Sequence, residues 1–188
     1  MIKKLARNLD RQTIFSFGEI AQITDRLPDQ NLVSAVSYYI RKGELIRIAK
    51  GLYALNKNYS LWELGNKLRI PSYVSLYTIL KEEGIVFQPY TSIFLVSARS
   101  QTLKIGGQVF KYRKIKNEIL LNRLGIIVQN NAFASTPERA ILDKIYLDGE
   151  EYFDNLSIID WDKAIALNEK VFKSSKIEKY IKTVKDYA

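Results

Sequence analysis

The stretch Asp29-Gln30-Asn31-Leu32-Val33-Ser34-Ala35-Val36-Ser37-Tyr38-Tyr39-Ile40-Arg41-Lys42-Gly43-Glu44-Leu45-Ile46-Arg47-Ile48-Ala49-Lys50-Gly51-Leu52-Tyr53-Ala54-Leu55 decides the architecture of this chain. Leu32, Val33, Val36, Tyr39 and Ile40 recur at helical spacing, which predicts a helix starting at Asp29 or Gln30 with one apolar stripe. Gly43 ends it, because glycine accepts the left-handed backbone that follows a last helical turn. Leu45 to Ile48 and Leu52 to Leu55 are β-prone runs, and Ala49-Lys50-Gly51 between them, with glycine last, suits a tight hairpin.

Upstream, Ser16-Phe17-Gly18-Glu19 has the spacing of a capping box, in which each side chain satisfies the other residue's free backbone N–H. A helix from Phe17 to about Ile23 follows, broken at Arg26-Leu27-Pro28, and Lys3 to Leu9 forms a short amphipathic helix before it. Helix, helix, turn, helix and hairpin within about 55 residues make a winged helix-turn-helix pattern.

Downstream, polar Asn56 to Ser60 reads as a linker, dividing the chain into residues 1–57 and 58–188. The second part alternates helical and strand patterns. Helices are expected at Ser60 to Lys67 and Tyr73 to Glu83, and strands at Ser92 to Ala98, Gln101 to Ile105, Gln108 to Ile115 and Gly125 to Gln129. Ser135-Thr136-Pro137-Glu138 combines a capping box with proline at the first helical position and starts a helix running to Leu147. Helices from Asp160 to Lys170 and from Ser174 to Lys185 complete the chain. The expected class is α+β: an N-terminal winged helix-turn-helix, then a mixed α/β C-terminal domain.

The 188 residues, 47% apolar and 26% charged, are ordinary globular material for one full domain or two small ones. With no histidine and no cysteine, the chain lacks His-based nucleophilic triads, imidazole or thiolate zinc sites, iron–sulfur ligation and disulfides. No acid stands two residues before a lysine, as a restriction-type Mg²⁺ nuclease needs. Asp160-Trp161-Asp162 lacks the Gly-Ser turn of a nucleotidyltransferase and reads as a helix cap. No enzyme activity, metal or cofactor is expected. The absence of a long apolar run or signal-peptide core points away from the membrane and towards the cytoplasm.

Twenty-nine basic residues against 20 acidic give a net charge of +9, and its placement is uneven. Residues 1–57 carry 10 basic and 5 acidic side chains, residues 58–133 carry 10 and 4, and residues 134–188 carry 9 and 11. A positive first two thirds suits a polyanionic partner. On the third helix, Gln30, Asn31, Ser34, Ser37, Tyr38 and Arg41 lie away from the apolar stripe. Amides pair with adenine edges, while hydroxyls and guanidinium groups serve phosphates or guanine. Arg47 and Lys50, in or beside the hairpin, reach flanking phosphates or the minor groove. Lys104, Lys111, Arg113, Lys114 and Lys116 form a second basic surface for nucleic acid or an acidic partner, or else a solvated sheet face. The last helix turns Ile177, Ile181 and Val184 inward and Lys176, Lys179, Lys182 and Lys185 outward.

The hairpin string Gly43 to Leu55, the run Tyr73-Val74-Ser75-Leu76-Tyr77-Thr78-Ile79-Leu80 with Gly84-Ile85, and Ser135-Thr136-Pro137-Glu138-Arg139-Ala140-Ile141-Leu142-Asp143 together resemble the AbiEi family of bacterial transcriptional regulators. Members of that family are antitoxins of type IV abortive-infection toxin–antitoxin systems. The last string carries the resemblance furthest: Pro137, Glu138, Arg139 and Asp143 match a Pro-Glu-Lys-Ala-x-x-Asp pattern, with Arg139 at the lysine position. The resemblance implies a repressor that binds inverted repeats in double-stranded operator DNA and is paired functionally with a nucleotidyltransferase toxin. The alternative is a protein-interaction module of a phage-defence or mobile-element system whose winged helix does not bind DNA. From the residues alone, Pro137 and Glu138 begin a helix, and Arg139 with Asp143 makes an i,i+4 pair worth a few tenths of a kcal/mol.

Overall fold

The structure is a computed structural model that describes residues 1–185, with Lys185 described in its backbone alone. The chain is a mixed α+β protein. Its first part runs α1 (Ile2–Ala6), β1 (Ile14–Ser16), α2 (Phe17–Thr24), α3 (Gln30–Arg41), β2 (Ile46–Ala49) and β3 (Leu52–Ala54). The capping box at Ser16 and Glu19 is complete: the Glu19 N–H donates to Ser16 Oγ at 3.2 Å, and the Ser16 N–H donates to the Glu19 carboxylate at 2.7 Å. Helix α3 begins where its periodicity predicts, and Asp29 caps it by accepting from the Leu32 N–H at 3.0 Å.

Strand β1 is absent from the sequence expectation. Three residues running straight into a helix cap carry too little alternation to announce a strand, and pairing makes it one. Ile14, Phe15 and Ser16 stand opposite Ala54, Tyr53 and Leu52, so β3 becomes the centre of an antiparallel sheet ordered β1-β3-β2. Gly51, at φ +73°, lets the β2–β3 connection turn. Leu5, Phe15, Ile20, Leu32, Val36, Leu45 and Tyr53 close a small core of their own. Two expectations change here. Helix α1 ends at Ala6, well short of Leu9, and Val33 is exposed, outside the apolar stripe.

The rest builds a six-stranded sheet. Helix α4 (Leu61–Leu68) leads into β4 (Ser72–Val74), α5 (Tyr77–Glu82), β5 (Ile93–Ser97), β6 (Gln101–Ile105) and β7 (Gln108–Lys114). Then follow α6 (Asn117–Leu120), β8 (Ile126–Gln129), β9 (Ala132–Ser135), α7 (Pro137–Asp148) and α8 (Trp161–Leu167). A π-helical turn at Asn168–Phe172 and α9 (Ser175–Lys185) complete the described chain. The strand order is β6-β7-β5-β4-β9-β8, with β4–β9 and β5–β7 parallel and the other pairs antiparallel.

Tyr73 and Val74 are therefore strand, where the sequence reading makes them the start of a helix. Paired with Val96 and Leu95 and wholly buried, they obey the sheet. The expected Ser135–Glu138 capping box is also replaced. Thr136 accepts from the Arg139 N–H at 3.4 Å, while the Ser135 hydroxyl, at the end of β9, donates to Ser75 Oγ at 3.1 Å. The expected helix from Asp160 to Lys170 gives way to a π-helical turn after Leu167.

Helix α4 joins the two parts. At Gly65 a Cβ would stand 2.9 Å from a Leu95 methyl, so only glycine lets α4 sit this close to the sheet, and the Tyr112 hydroxyl donates to the Gly65 carbonyl at 2.8 Å. Glu63, 2% exposed, accepts from the Thr13 N–H at 2.7 Å, the Thr13 hydroxyl at 2.6 Å and the Ile14 N–H at 3.2 Å. Lys67 stands 3.3 Å from Glu63 and 2.8 Å from Glu19, and it donates to the Ile14 carbonyl. Burial pushes the Glu19 carboxyl up, but Lys67 and the Ser16 N–H outweigh that and hold it below its ordinary value. Among the described residues no helix is long and apolar enough to cross a membrane.

Candidate nucleic-acid interface

Helix α3 owes its position to its apolar side. Leu32 and Val36 are buried in the small core while Tyr39 and Ile40 pack against it, so the opposite side must face solvent. Gln30, Asn31, Ser34, Ser37, Tyr38 and Arg41 are all exposed there, and so are Arg47 on β2 and Lys50 at the hairpin tip. The structure thus brings six of the eight sequence-predicted contacts onto one helix face and the other two onto the adjoining hairpin.

Among the described residues no carboxylate pairs with Arg41, Arg47 or Lys50. Their charge is available to an external anion. Tyr38 stacks edge-on against Tyr39 at 5.3 Å and carries Lys42 over its ring at 4.9 Å, which sets the ring at the foot of the helix. Sequence reasoning missed Val33. Its exposure puts a branched apolar side chain among the polar ones, where it can meet a thymine methyl. Lys3, Lys4, Arg7 and Arg11, at and after α1, are exposed as well.

The second basic surface is divided. Lys104, Lys111, Lys114 and Lys116 are exposed, but Arg113 binds Asp148 through both terminal nitrogens, at 3.0 and 2.5 Å. Lys111 lies over the Phe94 ring at 5.3 Å, and strand alternation places Lys114 on the opposite face of β7. These cations do not converge, and Arg113, expected on the basic surface, is instead held in an ion pair with Asp148 of α7.

Pro137, Glu138, Arg139 and Asp143 serve packing at the start of α7, and the surface i,i+4 pair expected from the sequence is instead wholly buried. Arg139 Nη1 donates to the Leu124 carbonyl at 2.6 Å, and Nη2 donates to the Ile119 carbonyl at 2.7 Å and to the Tyr73 hydroxyl at 3.2 Å. Its Nε lies 3.5 Å from an Asp143 oxygen, within ion-pair range but without a hydrogen bond. Asp143 accepts from the Tyr73 hydroxyl at 3.0 Å and from the Ser75 hydroxyl at 2.7 Å. Burial pushes the Asp143 carboxyl up to about 6 despite Arg139 and these donors.

Asp160 caps α8, accepting from the N–H groups of Asp162 and Lys163 at 3.2 and 3.1 Å. Among the described residues, no three carboxylates gather where they could hold a metal ion.

These features define a class: a mixed α+β chain presenting a free, amide- and hydroxyl-bearing helix face beside unpaired cations. In comparison with known proteins, no protein-family model matches the chain and no curated protein sequence matches it.

Proposed function

We propose that the chain is a sequence-specific DNA-binding repressor acting in the cytoplasm. Its first part is a winged helix-turn-helix that lays α3 in the major groove and its β2–β3 hairpin along the flanking backbone. The carrying observation is the exposure of Gln30, Asn31, Ser34, Ser37, Tyr38 and Arg41 on one face, beside Arg47 and Lys50 with no carboxylate partner. The order α1-β1-α2-α3-β2-β3, with β3 central, supports the same reading. The resemblance to AbiEi regulators adds inverted-repeat operators and an antitoxin role against a nucleotidyltransferase toxin.

The test is a gel shift on the chain's own upstream DNA at several salt concentrations. Specific binding is expected, with a steep loss of affinity as salt rises. Arg41→Ala with Lys50→Ala is expected to weaken specific binding strongly and to flatten the slope of log K against log salt by about 2, at roughly 0.9 per phosphate contact. Unchanged binding by the double variant rejects the groove assignment.

A further inference from the structure

The two ends of the six-stranded sheet differ. The β6 edge carries Gln101, Thr102 and Lys104, the polar and charged blunting that keeps an open edge from pairing. The β8 edge, Ile126-Ile127-Val128-Gln129, is apolar up to its terminal glutamine and carries no charge, and no charged residue occurs between Arg123 and Glu138. Val128 is 72% exposed, and together with Ile70 at 84%, Leu121 and Phe133 it lines an apolar groove of about 260 Å³. Arg123, with its guanidinium 4.4 Å over the Phe133 ring, and Glu63 and Lys67 border this groove.

The ladder fixes which backbone groups are free. The Thr136 N–H donates to the Gly125 carbonyl at 2.8 Å, and in an antiparallel pair every second residue turns its N–H and C=O to the same side. Gly125, Ile127 and Gln129 therefore face β9, while Ile126 and Val128 face outward. The Ile126 N–H is taken by the Arg123 carbonyl at 3.0 Å, which leaves Val128 with both groups open.

We propose that this edge is the seat of a second copy of the chain, with β8 pairing antiparallel to its own counterpart about a two-fold axis at Val128. Three observations select a second copy. A donor and an acceptor on one residue are self-complementary across such an axis, as an isologous interface requires. In a molecule of net charge +9, the uncharged run from Leu124 to Pro137 lets β8 meet its own counterpart with no charge on the paired strands, the cations Arg123 and Lys67 standing at the groove's border. The exposed parts of Ile70, Leu121, Val128 and Phe133 present apolar surface on the order of 500 Å², at the upper end for a monomer's largest patch. With the strand backbone and its rim, that approaches the roughly 800 Å² that each partner in a stable interface buries. The inference does not depend on DNA binding.

Analytical ultracentrifugation of the full chain over a range of concentrations tests it, with a reversible dimer as the expected result. Val128→Lys, at a side chain already in solvent, is expected to weaken the dimer about a hundredfold because it sets two cations opposite each other, with an unchanged melting temperature at dilutions where both chains are monomeric. The chain contains no cysteine, so a single introduced one reports without background. Across the axis, paired Cα atoms stand about 5.5 Å apart, within disulfide reach. Val128→Cys is therefore expected to cross-link into a covalent dimer under mild oxidation, and Lys104→Cys on the opposite edge is not. A wild-type chain that stays monomeric at high concentration overturns the proposal. So does a dimer that survives Val128→Lys or cross-links only through Lys104→Cys.

Discussion

Arg139 and Asp143 show how far burial changes the meaning of a familiar spacing. On a wet helix surface the pair contributes a few tenths of a kcal/mol. Wholly enclosed, each charge depends on the other and on the carbonyls and hydroxyls around it. The Asp143 carboxyl, moved from an ordinary 3.8 to about 6, binds its proton more tightly in the folded chain than in the unfolded one. Its contribution to stability is therefore complete below about pH 4 and is lost as pH rises through about 6. Arg139→Met strands that carboxylate, and urea unfolding at pH 7.5 is expected to show a loss of about 3–5 kcal/mol. At pH 5 the loss is expected to be smaller, because Asp143 without its cation takes up a proton more readily. The absence of histidine suggests a chain with nothing to titrate between pH 5 and 8, and Asp143 is the exception that only the tertiary structure exposes.

At the scale of elements, α3 was legible because its own residues determine it: a 3.6-residue apolar period and a capping aspartate. Asp29→Ala is expected to lower stability by about 1 kcal/mol in thermal unfolding, the usual worth of an N-cap. The hairpin strands and the capping box before α2 were legible for the same local reason. Strands β1 and β4 were not, being three residues long and made into strands by partners distant in sequence, and β9 is a four-residue strand paired to the neighbouring β8 across Asn130-Asn131. The exposed contacts on α3 could be read because they are the complement of its stripe, whereas Val33 could not, since a hydrophobic residue at the stripe's border belongs equally well to either side. Glu63 lay beyond sequence reasoning, because its three donors come from residues about 50 positions away. Glu63→Gln keeps the bulk of the side chain and removes its charge. It is expected to cost about 3 kcal/mol in urea unfolding and to speed tryptic cleavage after Lys57.

For the whole molecule, the groups proposed to touch DNA include no histidine and no carboxylate, and Asp143 lies buried in the larger core's polar network. Operator affinity measured by fluorescence anisotropy is therefore expected to stay constant within about twofold from pH 6 to 8 at fixed salt, even where thermal stability moves. A tenfold change would implicate a perturbed group on the α3 face. The tie that Glu63 and Lys67 make between α4 and the strand before α2 has a consequence for operator geometry. If α3 reads DNA and two copies join at β8 as proposed, this tie would make the pair act as callipers set to one width. Inserting about five base pairs between the half-sites would turn one of them to the far side of the duplex, beyond any adjustment the linker allows.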